Sequence, residues 1–329
     1  MKKKIILVRS PLRISFVGGG TDLKEFYEYN GGEILSSAIN KYVYILINKY
    51  HDKKKCLLKY SKTELVSSLK EVKHPLIKGS LKITNSWGMD INSVADVSSG
   101  TGLGSSSAFT VSLLNALSEI KEQKISKSKL AEKASYVEID IAKSPIGKQD
   151  QYASSFGGTN HFKFKKNGSV EVKNFQNHKL LDDFKDHLIV INTGIIKNNF
   201  KILNEQKENI KSKGKYTKNL LFMKKSVGLF KNELKLKNFK NCGNIIHENW
   251  IKKSELSSNI NNIFFKEIYE ESLISGAYGG KILGAGGRGY LLLIAPKNKI
   301  LSIKKKFFKL NFLDFNFDNQ GSKVIYSSS

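Results

Sequence analysis

Cysteine is scarce in this 329-residue sequence: only Cys56 and Cys242 occur, far apart and without the spacing of a metal site. Two isolated thiols are typical of a reduced, cytoplasmic protein and argue against a disulfide framework. Long apolar runs are also missing, because the run that follows the basic start covers only residues 5–8, which is too short for a signal peptide or a membrane span. We therefore predict a cytoplasmic protein without a membrane partner.

Arginine is almost absent from a chain whose net charge is +26. Of the 55 Lys and Arg residues, only Arg9, Arg13 and Arg288 are arginine. Proteins that read nucleic acid draw on arginine for bidentate contacts and place aromatic side chains among their basic residues. The lysines here are instead spread along the chain, so the composition indicates no specific nucleic-acid partner. Each arginine is informative, because a guanidinium is not interchangeable with an ammonium at a planar bidentate site.

Strand and helix patterns mix without the regular βαβ repeat of a doubly wound sheet, which favours the α+β class. The predicted strands are residues 4–17, 36–50, 89–97, 187–194, 289–296 and the end of the chain. The predicted helices are residues 106–120, 126–142 and most of 197–275, with one short helix in the mixed segment 53–86. We divide the chain into two domains, residues 1–190 and 191–329.

Residues 96–109, DVSSGTGLGSSSAF, join a predicted strand to a helix whose apolar residues recur at three-residue steps. Glycines let a ligand approach the main chain, and a helix N-terminus offers unpaired N–H groups and a positive dipole end. This combination predicts an anion site that is best suited to phosphate. The predicted nucleotide-binding residues are Gly100, Thr101, Gly102, Leu103, Gly104, Ser105, Ser106 and Ser107.

This glycine run is neither a Walker A loop, because no Gly-Lys-Ser/Thr closes it, nor the dinucleotide fingerprint, because its third glycine comes too early. The hydroxyls of its three serines could cap the helix, bind phosphate oxygens or ligate magnesium. A flexible loop followed by a helix cap is the alternative interpretation.

Two more glycine segments contain all three arginines. Residues 9–23, RSPLRISFVGGGTDL, place Asp22 after three glycines, and residues 276–296 hold seven glycines together with Arg288. Arg13 could pair with a carboxylate or a phosphate. Asp22 could accept hydrogen bonds from sugar hydroxyls, or it could cap a helix.

A fourth segment, residues 138–158, supplies an acid. Asp150 follows a helix break at Pro145 and lies beside Lys148 and Gln149. A carboxylate near a cation can stay ionised and orient or deprotonate a hydroxyl nucleophile. In isolation the same pattern also fits an acid in a surface loop.

These four segments, in this order, resemble the GHMP kinase family, which includes galactokinase, homoserine kinase, mevalonate kinase and phosphomevalonate kinase. PLRISFVGGGTD, SSGTGLGSSSA and GGKILGAGGRGY are similar to its first, second and third motifs. GKQDQYASSFGG, NTGIIKNNFKILNEQ and GNIIHENWIKKSELSSNI resemble the branch that phosphorylates D-glycero-D-manno-heptose 7-phosphate, whose relatives include fucokinase-type sugar kinases. The resemblance covers most of the chain.

The resemblance implies an N-terminal part like ribosomal protein S5 domain 2, a ferredoxin-like C-terminal part and an active site between them. MgATP would place its phosphates on residues 100–107, with Ser106 and Glu138 as the magnesium ligands. Asp150 would be the catalytic acid position, assisted by the cation Arg13. The residues that the resemblance assigns to the substrate are Gly20, Thr21, Asp22, Gln149, Lys197, Gly286, Gly287 and Arg288.

The implied reaction transfers the γ-phosphoryl group of ATP to the anomeric hydroxyl of the heptose 7-phosphate and gives the 1,7-bisphosphate. Two positions depart from the family pattern: Arg288 interrupts the third glycine run, and Lys197 stands where arginine is expected. A kinase of another sugar, fucose-like or with another anomeric acceptor, therefore stays open, as does a basic nucleic-acid-binding protein without catalysis. The sequence also leaves homo-oligomerisation open.

Overall fold

Two β-sheets with packed helices organise the chain in the computed structural model, which describes residues 5–194, 200–211, 214–257, 260, 263–286 and 289–328. Within these ranges the strands are β1 (Ile5–Val17), β2 (Gly32–Lys49), β3 (Cys56–Lys59), β4 (Thr63–Val66), β5 (Met89–Ala95), β6 (Thr159–Phe164), β7 (Val170–Asn174), β8 (Leu188–Asn192), β9 (Gly279–Ile282), β10 (Tyr290–Ile294), β11 (Asn311–Phe312) and β12 (Lys323–Ser327). The mixed helix-and-strand class predicted from the sequence is confirmed.

The helices connect these strands and supply most of the second half of the chain. They are α1 (Lys24–Asn30), α2 (Pro75–Thr84), α3 (Ser105–Ile120), α4 (Lys127–Ser135), α5 (Gln149–Phe156), α6 (His178–Lys185), α7 (Phe200–Lys211), α8 (Lys215–Lys235), α9 (Phe239–Ser254), α10 (Ile263–Ile274) and α11 (Lys297–Lys306). A π-helical segment, Tyr136–Ile141, continues α4. Among the helices in the described ranges, none is long and apolar enough to cross a membrane.

The first sheet is built on the long antiparallel pair β1 and β2, whose register runs from Ile5 opposite Asn48 to Val17 opposite Leu35. Its order is β12-β1-β2-β5-β3-β4, and β6 and β7 extend it from the first half of β2. The last strand, β12, pairs with β1, so the end of the chain returns to the first sheet.

Helix α3 packs between this sheet and two neighbouring helices. Ala108, Val111, Leu114 and Leu117, which the periodicity predicted to form an apolar face, are all fully buried. Leu117 packs with residues of the sheet, whereas Val111 and Leu114 pack with residues of α2 and α4. Because the helix is fixed along its length by these contacts, its first turn is held rigidly at the end of the glycine run that follows β5.

The second sheet has the order β11-β8-β10-β9, and all of its pairs are antiparallel. Its chain order is strand, helices, two strands, helix and strand. The predicted domain boundary at residue 190 lies inside β8, and β12 belongs to the other sheet. The two sheets therefore do not divide the chain at a single residue.

One hydrophobic core joins the two halves. It contains Leu12 and Phe16 from β1, Phe230 from α8 and Leu292 from β10. The rings of Phe16 and Phe230 stack with their centroids 5.9 Å apart. The cleft between the sheets thus has a continuous packed floor, which fixes the relative positions of side chains from both halves.

Two local predictions need correction. Residues 53–86 contain the hairpin β3–β4 in addition to the expected helix α2, and these short strands carry too few residues for a clear alternation. The helix predicted at residues 126–142 is α-helical only as far as Ser135 and then becomes π-helical. The π-helical segment carries Glu138 into the interior.

Candidate active site

The glycine run forms a loop between β5 and α3, as predicted. Gly100, Gly102 and Gly104 adopt φ angles of +77°, +86° and +81°, a left-handed region that favours glycine. Gly104 is the N-cap of α3, and no side chain caps the helix. The serine cap considered from the sequence is therefore wrong, and the first backbone N–H groups of α3 lie at the cleft without a side-chain acceptor among the described residues.

The glycine run packs directly against the third glycine segment. A Cβ atom on Gly102 would lie 2.5 Å from the carbonyl oxygen of Leu283. A Cβ atom on Gly289 would lie 1.9 Å from the carbonyl oxygen of Thr101. Only glycine permits this approach of two main chains, so the third segment supports the loop that holds the helix N-terminus.

Glu138 lies beneath the serines and is completely buried. Its carboxylate accepts hydrogen bonds from the hydroxyls of Ser106 at 2.9 Å, Ser107 at 2.6 Å and Thr110 at 3.1 Å, and from the Gln151 amide. Burial raises the pKa of Glu138, and these hydrogen bonds oppose the shift. The two residues that the resemblance assigns to magnesium, Ser106 and Glu138, are therefore in direct contact.

Arg13 on β1 and Asp150 on α5 form a bidentate ion pair at the cleft. Arg13 Nε and Nη2 each donate to one oxygen of Asp150 at 2.8 Å, and Nη1 donates to the carbonyl of Gly102 at 2.6 Å. The Arg13 side chain is 3% exposed and that of Asp150 is 24% exposed. The guanidinium thus fixes the plane of a carboxylate that still faces the cleft, and it ties that carboxylate to the glycine run.

Asp22 is a buried link between the first glycine segment and the start of α5. Its oxygens accept hydrogen bonds from the backbone N–H groups of Gly20 and of Gln149, the first residue of α5, both at 3.1 Å. Burial raises the pKa of Asp22, the Gln149 N–H opposes this, and the charge of Asp150 adds to it. Asp22 does not cap the helix that follows it, because the N-cap of α1 is Leu23; its carboxylate instead satisfies the first N–H of α5.

These groups line one cavity of about 350 Å³ between the two sheets. Of the predicted residues, those that line it are Arg13, Gly20, Asp22, Gly100, Gly102, Gly104, Ser105, Ser106, Ser107, Gln149 and Asp150. Glu138 lies behind the serines. The Ser105 hydroxyl is buried and has no hydrogen-bond partner among the described residues, so it has capacity for a ligand.

Besides Glu138, four predicted residues in the described part of the chain do not line the cavity. The Thr21 hydroxyl donates to the carbonyls of Gly18 and Glu33, both at 2.8 Å, and holds the loop together. Thr101 donates to Ser98 at 3.0 Å, and Leu103 is buried in the hydrophobic core. On the third segment, Gly284 and Ala285 reach the cavity in place of Gly286. Lys197, Gly287 and Arg288 lie outside the described residues.

Two buried lysines that sequence reasoning missed also line the cavity. Lys253, on α9, is 5% exposed and donates to the carbonyl of Gly284. Lys281, on β9, is 3% exposed and donates to the carbonyl of Phe16 at 3.2 Å. In a lysine-rich chain nothing in the sequence separates these two from the others, although Lys281 lies inside the third glycine segment.

Comparison with known proteins gives a family match and two relatives that are similar along almost the whole of this chain. Residues 64–158 match the family described as GHMP kinases N terminal domain. The chain is 26% identical to D-glycero-alpha-D-manno-heptose 7-phosphate kinase of Campylobacter jejuni, over 97% of this chain and 98% of that protein. It is 24% identical to L-fucokinase/L-fucose-1-P guanylyltransferase of Bacteroides fragilis, over 98% of this chain and 38% of that protein.

Solved structures share the fold. A D-glycero-D-manno-heptose 1-phosphate kinase from Bacteroides thetaiotaomicron superposes with a TM-score of 0.80 at 21% identity, over 98% of this chain and 100% of the other. The likeness covers almost the whole chain and therefore both sheets, so the overall fold is a known one.

Proposed function

Since this chain belongs to the GHMP kinase family and is an ATP-dependent sugar kinase, we propose that it phosphorylates the anomeric hydroxyl of D-glycero-D-manno-heptose 7-phosphate and forms the 1,7-bisphosphate. The observation that carries the proposal is the Arg13–Asp150 pair, which borders the same cavity as the glycine run and is tied to that run through the Gly102 carbonyl. The choice of heptose is supported by the Campylobacter relative, which this chain matches along almost its whole length.

The glycine run binds the ATP phosphates. The uncapped N-terminus of α3 presents backbone N–H groups and a positive dipole end, and the Ser105 hydroxyl is buried without a partner in the described structure. These donors belong to the main chain or to small side chains, so a triphosphate can approach closely. Phosphoryl transfer depends on such positioning and on neutralisation of charge.

Magnesium fits the donor set beside this loop. A hydroxyl and a carboxylate in contact, Ser106 and Glu138, match the preference of Mg²⁺ for oxygen ligands from one or two protein side chains together with nucleotide phosphates. Mg²⁺ held there would neutralise phosphate charge. Ser107, Thr110 and Gln151 hold the Glu138 carboxylate in place by hydrogen bonds.

Asp150 orients the acceptor hydroxyl and accepts its proton. Arg13 holds the carboxylate through two of its nitrogens, so Asp150 keeps one orientation while its exposed edge meets the sugar. An anomeric hydroxyl is more acidic than other sugar hydroxyls, which eases the proton transfer. Asp22 and Gln149 lie next to this edge and are proposed to bind the sugar.

The topology supports the two-part description of the fold. We propose that the sheet of β8 to β11 is the ferredoxin-like part, because its chain order follows the β-α-β-β-α-β pattern. The sheet built on β1 and β2 is then the part like ribosomal protein S5 domain 2. The division into residues 1–190 and 191–329 stays a prediction, as does the cytoplasmic location suggested by two isolated thiols.

The test is a panel of free and phosphorylated sugars assayed for ADP release with MgATP. Heptose 7-phosphate is expected to give the highest kcat/KM, and phosphorus NMR of the product should show a phosphate at the anomeric carbon. An Asp150→Asn variant serves as the inactive control. Turnover of free hexoses without turnover of heptose 7-phosphate would overturn the proposed acceptor.

A second acceptor class has one observation in its favour. The Bacteroides fragilis relative, named for fucokinase and guanylyltransferase, matches nearly all of this chain. The sugar panel therefore includes L-fucose, and a higher kcat/KM for fucose than for heptose 7-phosphate would favour this alternative. The alternative of a non-catalytic nucleic-acid-binding protein is not retained, because the chain is a kinase.

A further inference from the structure

The guanidinium of Arg13 already has hydrogen-bond partners within the protein. It donates two hydrogen bonds to Asp150 and a third to the carbonyl of Gly102. During phosphoryl transfer, negative charge is spread over the three equatorial oxygens of the transferring group and has to be stabilised by cations or donors. Since Arg13 is used to hold Asp150, a second cation that lines the cavity would add to the charge neutralisation proposed for Mg²⁺ and the glycine run.

Lys253 has the position that this role requires. Its ammonium donates to the carbonyl of Gly284, and a Cβ atom on Gly284 would lie 2.5 Å from the Cα atom of Gly102. The ammonium is therefore fixed beside the glycine run. It also lies against the first glycine segment, because a Cβ atom on Gly19 would lie 3.7 Å from its Nζ atom.

Lys253 retains capacity for a ligand. An ammonium has three N–H donors, and among the described residues its one hydrogen-bond acceptor is Gly284. The side chain is 5% exposed and lines the same cavity as Asp150 and Ser106. A buried ammonium with unused donors favours an anion as its missing partner.

We propose that Lys253 is a further catalytic residue, whose ammonium binds the γ-phosphoryl group from the acceptor side of the cleft while the glycine run binds the phosphates from the other side. The inference rests on the proposed phosphoryl transfer and does not depend on which sugar is the acceptor. Lys281 is less suited to this role, because its acceptor is the carbonyl of Phe16 on β1, whereas the acceptor of Lys253, Gly284, packs against the glycine run.

The charges around Lys253 predict how it responds to pH. Burial lowers the pKa of its ammonium to about 8, with Asp22 after β1 and Asp150 on α5 opposing the shift and Arg13 on β1 adding to it. Lys281 on β9 also faces it. The free enzyme therefore loses the Lys253 charge as the pH rises through about 8, and kcat/KM for ATP should fall there.

The test compares Lys253→Met, Lys253→Arg and a matched control, Lys252→Met, on the best sugar found for the wild type. Lys252 is adjacent on α9, and its side chain is 33% exposed. In Lys253→Met, kcat is expected to fall by about 10²–10³-fold, as for other lost transition-state donors, with an unchanged KM for the sugar. The arginine variant should lose the decline of kcat/KM above pH 8, and the control should behave as wild type.

Nucleotide binding separates a γ-phosphate contact from other roles and needs no acceptor. By calorimetry, Lys253→Met should weaken binding of the non-hydrolysable analogue AMP-PNP by about tenfold, the loss of roughly one charged hydrogen bond, and leave ADP binding unchanged. Equal affinities for the variant and the wild type, or equal losses for AMP-PNP and ADP, would overturn the proposal. So would a raised sugar KM with preserved kcat.

If Lys253→Met does not fold, the pH profile and AMP-PNP affinity of Lys253→Arg decide, since that variant keeps a charge whose pKa lies far above the assay range. A profile identical to wild type would then count against the role. Inactivity on heptose 7-phosphate together with activity on another sugar refutes only the proposed acceptor, and the Lys253 comparison proceeds on that sugar.

Discussion

The two walls of the cleft are formed by different kinds of chemical group. The nucleotide wall, residues 100–107, consists of main-chain groups and small hydroxyls at the start of one helix. The acceptor wall, defined here as Arg13, Asp22, Asp150 and Lys253, consists of charged side chains that are buried or partly buried. Backbone N–H groups bind an anion without any buried charge, whereas buried charges must compensate one another. The first wall therefore depends mainly on backbone geometry, and the second on the chemistry of its side chains.

The largest effect is expected at Asp150, on the acceptor wall. In Asp150→Asn, kcat should fall by about 10²–10⁴-fold, the usual contribution of a general base, because the amide cannot accept the sugar proton. ADP affinity, measured by calorimetry, should stay within about threefold of wild type, since the nucleotide wall is untouched. A variant with full turnover would contradict the catalytic role, and a variant that loses ADP binding would contradict the separation of the two walls.

Gly102→Ala is the corresponding test of the nucleotide wall. The new Cβ would lie 2.5 Å from the carbonyl oxygen of Leu283, at a residue whose φ is +86°. The loop has to shift, and we expect ATP affinity to fall by about tenfold or more, because each 1.4 kcal/mol of lost contact is a factor of ten. Calorimetry with AMP-PNP measures this directly.

Gly100→Ala is the matched control for that substitution. Gly100 also has a left-handed φ, +77°, but a Cβ there meets no atom of the described residues within 4 Å. Strain should lower the free energy of unfolding by about 1 kcal/mol, and AMP-PNP affinity should fall less than in Gly102→Ala. If the two variants lose ATP affinity equally, backbone strain rather than the contact with Leu283 explains the loss.

Arg13→Lys tests whether geometry or charge matters in the ion pair. Lysine keeps the positive charge but cannot make two parallel hydrogen bonds to Asp150 or reach the Gly102 carbonyl at the same time. We expect kcat to fall by about tenfold, one misplaced charge-assisted hydrogen bond, while the KM for ATP changes little. Unchanged kcat in steady-state assays would show that charge alone suffices.

The nucleotide wall could be predicted from the sequence because it is local. Strand, glycines, serines and an amphipathic helix follow one another within residues 89–120, and each has a direct structural consequence. The family resemblance then supplied the candidate partners Glu138 and Asp150. What could not be predicted was that Leu103 and Thr101 turn away from the cleft, because this depends on packing against the core.

The acceptor wall could be predicted only in part, because it is assembled from distant segments. Arg13 and Asp150 are 137 positions apart, and from the residues alone Arg13 could equally have bound a phosphate. Lys253 was missed because lysine is common throughout this chain, so the presence of a lysine at one position does not indicate a functional site. Its burial on α9 depends on the tertiary structure and cannot be read from the sequence. The uneven success of the predictions follows the physical difference between the two walls.

Substitution of Asp22 has the smallest expected effect, and it tests whether a buried charge of the acceptor wall lowers the free energy of unfolding. Burial raises the pKa of Asp22 above its value in the unfolded chain. The folded state therefore binds the Asp22 proton more tightly than the unfolded chain does. This contribution to the free energy of unfolding is fully present below the pKa of Asp22 in the unfolded chain, and it is lost as the pH rises through the higher pKa of Asp22 in the folded protein. Wild type should accordingly lose some free energy of unfolding above pH 4, and Asp22→Asn, which cannot ionise, should not.

Urea unfolding of both proteins across this pH range measures how steeply the free energy of unfolding changes with pH. Identical slopes for the two proteins would mean that Lys253 and the N–H groups of Gly20 and Gln149 compensate the Asp22 charge fully. The buried charges of the acceptor wall would then cost the fold no more than the backbone groups of the nucleotide wall do.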